Sequence, residues 1–515
     1  MKVKNKSSFI VLLALLTACP LFAQQRVAFP YEFTPALHGH EVIVCGPLYV
    51  TGNYGFSSTN PVVTVAPEVL ITGTEVVLPG TDYQRQHLWN DENKLIGDHF
   101  TVPDATVRVG SHVDSLQGIV SFSSGTYSLR LTVPPTLLGN ERPPVPLTDD
   151  ADRSNLRIVG ANLQFFLASP SSWGSGWGAD NQAAFERQKT KVVAMLSALD
   201  ADIYALCEVE EGDYTVQRLA DWLNESVGMR VYEFVDGGDD DIDTYTKNVF
   251  LYRSDRVLPV GAFTFTDNDY TKLRHVAQRF RLRANDEHLI LAMNHFKSKS
   301  GSGSGADANR GDGQSSYNLT RTEEAEAVLL TCTRMAASVG DDDILILGDL
   351  NAYSMEDPVR TFTDAGFVNE LRLHAPRHWS YCFNDEVGYL DHALASPSLH
   401  AQVVDAMPWD INASEPSYFG YAHTVYYTPE HYIARCSDHN PIVVTLNLGG
   451  TADVTETPAS HHVQVYTLQG DLLLTTEVND LTDTDALWQT FAPALPSGIY
   501  ILQIPGIPPV KIFRP

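Results

Sequence analysis

The chain has 515 residues, a formal net charge of −28 and a hydrophobic fraction of 43%. This length exceeds what one hydrophobic core holds and predicts about two to four domains, with ample apolar material to build them. The acidic balance excludes a surface that attracts polyanions as a whole, because like charges repel at long range. A nucleic acid or phospholipid would therefore have to approach a local basic surface or a metal ion.

The N-terminus has the features of a secretory signal. Three lysines within the first six residues precede an apolar run at 9–18, and the small residue Ala23 follows shortly after it. We predict a signal peptide at 1–23, which is too short to serve as a membrane anchor once cut. The mature chain would be secreted or held at the outer cell surface. The alternative is a lipoprotein signal that would leave Cys19 lipidated. No later stretch is long and apolar enough to cross a bilayer.

The rest of the chain divides by composition into four parts. Residues 24–133 contain short β-type runs broken by Gly, Pro and Asn without a helical repeat, which predicts a small all-β domain. Residues 134–154 contain five prolines and predict an extended linker. Residues 155–448 alternate apolar strands with amphipathic helices and predict one large α/β domain. Residues 449–515 alternate like the strands of a small β-sandwich.

Cysteine usage fits an exported protein without a disulfide scaffold. If the signal peptide is removed, an odd set of five cysteines is left. A bridge between Cys382 and Cys436 is one alternative, since both lie close in sequence to segments that could carry chemistry. Buried free thiols are the preferred interpretation.

Polar side chains recur where the strands of the large domain end. In the run DILILGDLNAY at 343–353, an apolar strand stops at a glycine and then presents a carboxylate and an amide two positions apart. The residues that follow or precede strands in this way are Asn162, Glu208, His295, Asp349, Asn351, Asp391, Asp438 and His439. Any one of them alone is typical of an ordinary turn. Together at one sheet edge, however, their carboxylates would repel each other unless a cation or substrate binds there.

The types of ligand indicate which cation would bind. Carboxylate and amide oxygens without a thiolate pair or a His-x-x-x-His spacing favour Mg2+, with Mn2+ or Ca2+ as alternatives, over zinc. Cys207 alternates with Glu208 along its strand and should therefore point into the core. Hard divalent ions most often serve phosphate chemistry, where they neutralise developing negative charge.

The ordered motifs LGDLN at 347–351 and SDHNP at 437–441 resemble the endonuclease/exonuclease/phosphatase superfamily over residues 155–448. Longer strings, including NHFKSKSGSGSGADANRGDGQSSYN and GYLDHALASPSL, resemble its bacterial extracellular nucleases. The resemblance implies a four-layer α/β sandwich in which two packed mixed sheets are flanked by helices. It also implies that Glu208 holds the metal with the help of Asn162 and Asp438.

The resemblance further implies roles in phosphodiester hydrolysis. His439 would be the general base toward the attacking water, oriented by Asp391. Asp349 would position the nucleophile or serve the leaving group. Asn351 and His295 would donate hydrogen bonds to the phosphate oxygens.

The chain departs from the superfamily pattern at three places. Cys207 stands where family members commonly have Gln, and Gln164 or Phe165 stands where a second Asn is usual. The carboxylate that pairs with the counterpart of His295 in some relatives has no clear equivalent near residues 245–248.

Substrate recognition is predicted from a cluster of basic residues between 272 and 321. Arg279, Lys297 and Lys299 are the residues expected to bind a phosphate backbone. The alternative is a sheet edge protected by charge. We expect a monomeric, secreted, metal-dependent endonuclease, with DNA as the first choice of substrate and RNA as the second. The alternatives are a lipid or sugar-phosphate phosphatase or phosphodiesterase of the same superfamily, or a surface binding protein on an inactive nuclease scaffold.

The C-terminal strings VYTLQG and PSGIYIL resemble the sorting domains of type IX secretion substrates. This resemblance implies that residues 449–515 engage a secretion machinery and are then removed or used for attachment. The competing interpretation is a small carbohydrate- or protein-binding sandwich.

Overall fold

The computed structural model describes residues 25–514, apart from 58, 60, 103–105, 147–153, 236, 238–244, 267–273, 425–426, 429–430, 451–460, 468–471, 479–497 and 505–506. The predicted signal peptide therefore lies outside the described residues. Within the described residues, no helix is both long and apolar enough to cross a membrane.

The N-terminal part of the chain forms a six-stranded sheet. Its strands are β1 (Gln25–Ala28), β2 (Glu41–Gly52), β3 (Val63–Ala66), β4 (Leu95–Asp98), β5 (His112–Ser123) and β6 (Thr126–Leu131). Their order is β1-β2-β3-β4-β6-β5, and the additional pairing of β5 with β2 closes the sheet on itself. The sheet encloses an apolar core of its own.

The prediction that this part is all-β is wrong, because two helices interrupt it. They are α1 (Gly73–Val76) and α2 (Thr81–Glu92). The inward face of α2 buries Gln86 and Asn90, and the Asn90 amide donates to the Ile71 carbonyl oxygen at 2.9 Å. Since this inward face is built from amides rather than apolar side chains, no hydrophobic periodicity marked the helix.

The large domain contains two six-stranded mixed sheets. The first central sheet has the order β19-β20-β7-β8-β10-β9, and the second central sheet has the order β11-β12-β13-β14-β18-β15. The strands of the first sheet are β7 (Leu156–Phe166), β8 (Ile203–Glu210), β9 (Tyr232–Phe234), β10 (Thr246–Arg253), β19 (Val403–Pro408) and β20 (Ile442–Leu446). The strands of the second sheet are β11 (Val257–Phe265), β12 (His275–Leu282), β13 (His288–His295), β14 (Ile344–Asp349), β15 (Val368–Asn369) and β18 (Asp391–Ala395).

The described part of the large domain also contains six α-helices and one hairpin. The helices are α3 (Gln182–Leu199), α4 (Asp213–Val227), α5 (Asn318–Val339), α6 (Asp357–Asp364), α7 (Glu370–His374) and α8 (Pro397–His400). The hairpin consists of β16 (Tyr381–Phe383) and β17 (Glu386–Gly388). One apolar core contains side chains from both central sheets. A second core joins the first sheet to α3 and α4, and a third joins the second sheet to α5 and α6.

The N-terminal sheet is attached to the large domain by buried polar contacts. Arg108 makes ion pairs with Asp410 at 2.9 Å and Glu415 at 2.8 Å. The Glu75 carboxylate of α1 accepts hydrogen bonds from the Ser354 hydroxyl at 2.6 Å and from the N–H groups of Ser354 and Tyr389, both at 3.2 Å. Because Ser354 follows β14 and Tyr389 precedes β18, Glu75 braces both loops that adjoin these strand ends.

The predicted linker packs against the large domain in its described part, residues 134–146. The Pro143 carbonyl oxygen accepts a hydrogen bond from the Trp409 indole at 3.1 Å, and Arg142 pairs with Glu415 at 2.8 Å. This segment therefore joins the two domains rather than spacing them apart.

The C-terminal part contains four strands: β21 (His461–Thr467), β22 (Leu472–Val478), β23 (Gly498–Ile504) and β24 (Ile507–Arg514). They form one antiparallel sheet in the order β22-β21-β23-β24. Its role in sorting stays a prediction. The five cysteines in the described residues are free thiols, so Cys382 and Cys436 do not form the disulfide that was one alternative.

Candidate active site

Strand pairing brings the predicted polar residues to one edge of the large domain. His295 ends β13 beside Asp349 at the end of β14, and Asp349 lies opposite Asp391 at the start of β18. In the first sheet, Asn162 on β7 lies next to the strand that carries Glu208. The Asn162 amide donates to Glu208 Oε1 and to Asp349 Oδ2, each at 3.2 Å. The two sheets therefore meet at this cluster of buried side chains.

Asp391 and His439 form a buried pair. The His439 Nδ1 lies 2.7 Å from Asp391 Oδ2, and its Nε2 lies 3.8 Å from Asp349 Oδ2. The Ser380 hydroxyl oxygen accepts the Asp391 N–H at 3.0 Å, and the Tyr381 ring packs against the imidazole at a centroid distance of 4.6 Å with the ring planes inclined by 32°. Burial lowers the pKa of His439, but Asp391 and Asp349 outweigh it and raise the pKa well above its ordinary value. A carboxylate on Nδ1 leaves Nε2 as the atom that can accept a proton.

His295 is oriented by a cation rather than by a carboxylate. Its Nδ1 lies 2.9 Å from an Arg274 guanidinium nitrogen and therefore accepts, while Nε2–H faces Glu208 Oε1 at 3.6 Å and Asp349 Oδ2 at 3.8 Å. Burial and then the Arg274 charge lower the pKa of His295 well below its ordinary value. The neutral ring is a hydrogen-bond donor toward the centre of the cluster. Arg274 is therefore the partner of the His295 imidazole, for which the sequence predicted no carboxylate near residues 245–248.

The backbone conformation at the end of β14 requires a glycine at the first position of the sequence GDLN and positions its Asp and Asn side chains. Gly348 has a φ of +133°, and a Cβ there would lie 2.0 Å from the Asn294 carbonyl oxygen, so only glycine fits. The Asn351 N–H donates to Asp349 Oδ1 at 2.9 Å, and the Asn351 amide donates to the Phe296 carbonyl oxygen at 3.1 Å. The turn holds both side chains at the cluster, and the second amide hydrogen of Asn351 is a further donor.

The donor set of the cluster fits a hard divalent cation. The pKa of Glu208 is raised to about 7, first by burial and then by repulsion from Asp438. Burial also raises the pKa of Asp349 to about 6. Buried carboxylates that repel each other favour a bound cation, and Glu208 and Asp438 offer it oxygen ligands. Asn162 bridges two carboxylates through its N–H groups while its oxygen accepts the Gln164 N–H at 2.9 Å. It positions Glu208 in this arrangement.

A sequence model of the endonuclease/exonuclease/phosphatase family matches residues 160–439, which is more than half of the chain. The chain belongs to the endonuclease/exonuclease/phosphatase family. The hydrolases of this family act on phosphodiesters or phosphate esters and generally use divalent metals. The resemblance found in the sequence is thereby confirmed at the level of the superfamily.

Several solved structures are similar to part of the chain. The human Nocturnin catalytic domain with bound sulfate is 16% identical, with 57% of this chain and 94% of that chain covered and a TM-score of 0.38. A mannosyl-6-phosphatase from Bacteroides thetaiotaomicron is 18% identical, with 56% and 98% covered and a TM-score of 0.38. An AP endonuclease from Archaeoglobus fulgidus is 15% identical, with 57% and 100% covered and a TM-score of 0.37. No curated protein gives a significant match to the chain.

The three residues predicted to bind the substrate, Arg279, Lys297 and Lys299, have different surroundings in the structure. Lys297 lies two residues after His295 with its ammonium group 4.5 Å from the Tyr317 ring centroid. Lys299 instead forms a buried ion pair with Glu356. Arg279 pairs with Asp341 at 3.1 Å and lies opposite Ile290, which precedes His295 at the end of β13 by five residues. The structure brings Lys297 to the site and does not bring Arg279 there.

The departures from the family pattern have structural explanations. Cys207 lies in the core between the two central sheets, as its alternation with Glu208 predicted. Gln164 and Phe165 both have a φ of +53°, and the Phe165 N–H donates to Glu208 Oε2 at 2.9 Å. Backbone N–H groups of this turn therefore contact the cluster in the region where relatives carry a second amide side chain.

A second group of metal-ligating side chains lies away from the cluster. Within the described residues, His87, Asp91 and Glu386 place one potential ligand atom each within 4.8 Å of one another. The Lys94 ammonium group lies 3.2 Å from both carboxylates. Because Lys94 already supplies positive charge there, this group has its counter-ion within the chain.

Proposed function

We propose that the protein is a secreted, metal-dependent phosphodiesterase that hydrolyses nucleic acid, with DNA preferred. The observation that carries this proposal is the Asp391–His439 pair at 2.7 Å, whose imidazole Nε2 faces the buried cluster of Asp349 and Glu208. This arrangement supplies a proton acceptor beside carboxylates that would hold a cation. A protein with only a binding role would not require such a pair.

Residues of the chain have distinct roles in the proposed hydrolysis. In its neutral form, which is present above its raised pKa, His439 takes a proton from the attacking water at Nε2, and Asp391 holds the tautomer and stabilises the resulting imidazolium. His295 donates from Nε2–H to a phosphate oxygen, since Arg274 occupies its other nitrogen. Asp349, with its pKa raised to about 6, is poised to exchange a proton with water or the leaving group. A divalent ion held by Glu208 and Asp438 would neutralise charge on the phosphate.

Nucleic acid is preferred as the substrate because cationic groups lie beside the phosphate position. Arg274 and Lys297 flank His295, and within the described residues no carboxylate forms an ion pair with either. Local positive charge of this kind offsets the overall charge of −28 for a polyanionic substrate.

The proposal extends to localisation and architecture. The N-terminal signal features support export, and the C-terminal strings support sorting through a type IX secretion machinery. The three apolar cores support the four-layer arrangement implied by the resemblance. We further propose that the mature protein acts as a monomer.

Incubation of the purified mature protein with supercoiled plasmid tests the proposal. We expect nicking in Mg2+ or Mn2+ that is abolished by EDTA and by His439→Ala. Replacement of the exposed His40 by Ala should leave the rate unchanged. Hydrolysis of sugar phosphates or phospholipid head groups without plasmid nicking would instead establish the alternative substrates of the family. Absence of any hydrolysis in all metals would refute the enzymatic proposal.

A further inference from the structure

A cleft of about 720 Å3 lies between the N-terminal sheet and the large domain. One wall comes from the end of β2, including Tyr54, and the other comes from the β16–β17 hairpin, including Phe383. The cleft reaches the candidate active site, because Asp438 and Gln164 also line it. Its volume lies within the roughly 300–1,000 Å3 that ligand pockets usually occupy.

The walls of the cleft expose aromatic rings. Tyr54 is 81% exposed and Phe383 is 66% exposed, although large aromatic side chains are usually well buried. The rings of Tyr381 and Tyr421 line the same cleft. Exposed rings in a concave site are stacking surfaces for planar ligands, and stacking of this kind tolerates any base.

The hairpin wall is held rigidly in place. Asn384 and Asp385 at its tip have φ values of +52° and +65°, as in a two-residue type I′ turn. The Asp385 carbonyl oxygen accepts the Thr51 hydroxyl at 2.6 Å, and its carboxylate accepts the Thr64 hydroxyl at 2.8 Å. A Cβ on Gly52 would lie 1.7 Å from the Asp385 carboxylate, so a glycine is needed for this close approach. A wall fixed before binding loses little entropy when a ligand stacks on it.

The hairpin also places the cleft close to His439, the proposed proton acceptor. The Tyr381 ring packs at a tilt against the His439 imidazole, and Phe383 lies two residues further along the same strand. Residues two apart share one face of a strand and are separated by about 7 Å. Phe383 therefore lines the cleft about 7 Å along the strand from Tyr381, the residue whose ring contacts the proposed proton acceptor.

We propose that this cleft is a nucleobase-binding subsite. Tyr54 and Phe383 stack against a base next to the scissile phosphate, so the N-terminal domain takes part in substrate recognition. This inference rests on the proposed function, because it places the cleft beside a phosphodiester. Aromatic walls that also carry Arg435 and Asp385 suit a planar, hydrogen-bonding ligand better than an aliphatic chain.

Binding measurements test the subsite independently of catalysis. Calorimetry compares deoxyadenosine monophosphate with 2-deoxyribose 5-phosphate, which has the same phosphate and sugar but no base. We expect the nucleotide to bind more tightly, and Tyr54→Ala and Phe383→Ala each to weaken it about five- to a hundred-fold. The sugar phosphate should bind equally to all variants. Tyr31→Ala is the matched control, since Tyr31 is 80% exposed in the same domain and does not line the cleft.

Each outcome decides one of the two proposals. Equal binding of nucleotide and sugar phosphate to the original chain overturns the subsite, even if plasmid is cleaved. Base-dependent binding that survives both substitutions also overturns it. If plasmid is not cleaved but base-dependent binding is lost in Tyr54→Ala and Phe383→Ala, the subsite stands and the nuclease proposal fails. Tighter binding of a hexose phosphate that needs the same two rings would show a carbohydrate subsite and refute a nucleobase one.

Discussion

Removal of the metal should make the stability of the protein fall as pH rises. The pKa of Glu208 is raised from 4.5 to about 7 in the folded, metal-free cluster. The folded state therefore binds more protons than the unfolded state between these values, and the free energy of unfolding decreases by about 3 kcal/mol across the interval. The raised pKa of His439 acts in the same direction, because its contribution is complete below about pH 6.5 and is lost above the folded pKa. A bound cation replaces the Glu208 proton and should suppress this decrease.

Calorimetric unfolding in EDTA and in saturating Mg2+ measures this effect between pH 5 and pH 8. We expect Mg2+ to raise the melting temperature more at pH 8 than at pH 5. Glu208→Gln should flatten the pH dependence in EDTA and remove most of the Mg2+ shift. Glu68 provides the matched control, since burial alone raises its pKa to about 7 at a position outside the cluster. Glu68→Gln should flatten the EDTA curve and keep the Mg2+ shift. An unchanged Mg2+ shift in Glu208→Gln would refute the assignment of the metal site.

Substitutions at three positions probe how the cluster is positioned. Asp391→Asn should lower kcat by about 10²–10⁴-fold and move the pH–rate inflection of His439 to lower pH, whereas an unchanged inflection would contradict their coupling. Arg274→Met should raise the pKa of His295, and proton NMR titration that shows no rise would contradict the proposed donor role. Glu75→Ala should destabilise the protein by about 2–6 kcal/mol in urea unfolding, because two buried N–H groups lose their acceptor, whereas Glu75→Gln should cost much less. Equal losses in the two Glu75 variants would indicate a charge effect instead.

The central strands of the large domain and its three longest helices, α3, α4 and α5, could be predicted because their apolar residues recur with the period of the element, whereas the short helices α6, α7 and α8 were not predicted. The 343–353 run is an example, since four apolar residues of β14 are buried and the strand ends at Asp349 as expected. Helix α2 could not be predicted, because its buried face consists of amides that bond to each other and to the backbone. Burial of polar side chains leaves no hydrophobic periodicity in a sequence.

The cluster of polar residues could be predicted because strand ends gather them and the family motifs order them. The supporting residues could not. Glu75 and Ser354 are 279 positions apart, and Arg274, which immediately precedes β12, reaches His295 only because β12 pairs with β13. Contacts of this range depend on the packing of whole elements and not on any local pattern.

Because long-range contacts are not visible in a sequence, three basic residues with the same predicted role have different surroundings in the structure. Lys299 is neutralised by Glu356 and Arg279 by Asp341, and only Lys297 lies beside His295 without an ion pair among the described residues. A sequence shows how many positive charges a segment has, but the electric field at a phosphate depends on which of them lack a carboxylate partner. The proposed contribution of the basic segment to substrate binding therefore rests on Arg274 and Lys297, while Arg279 and Lys299 form ion pairs within the chain.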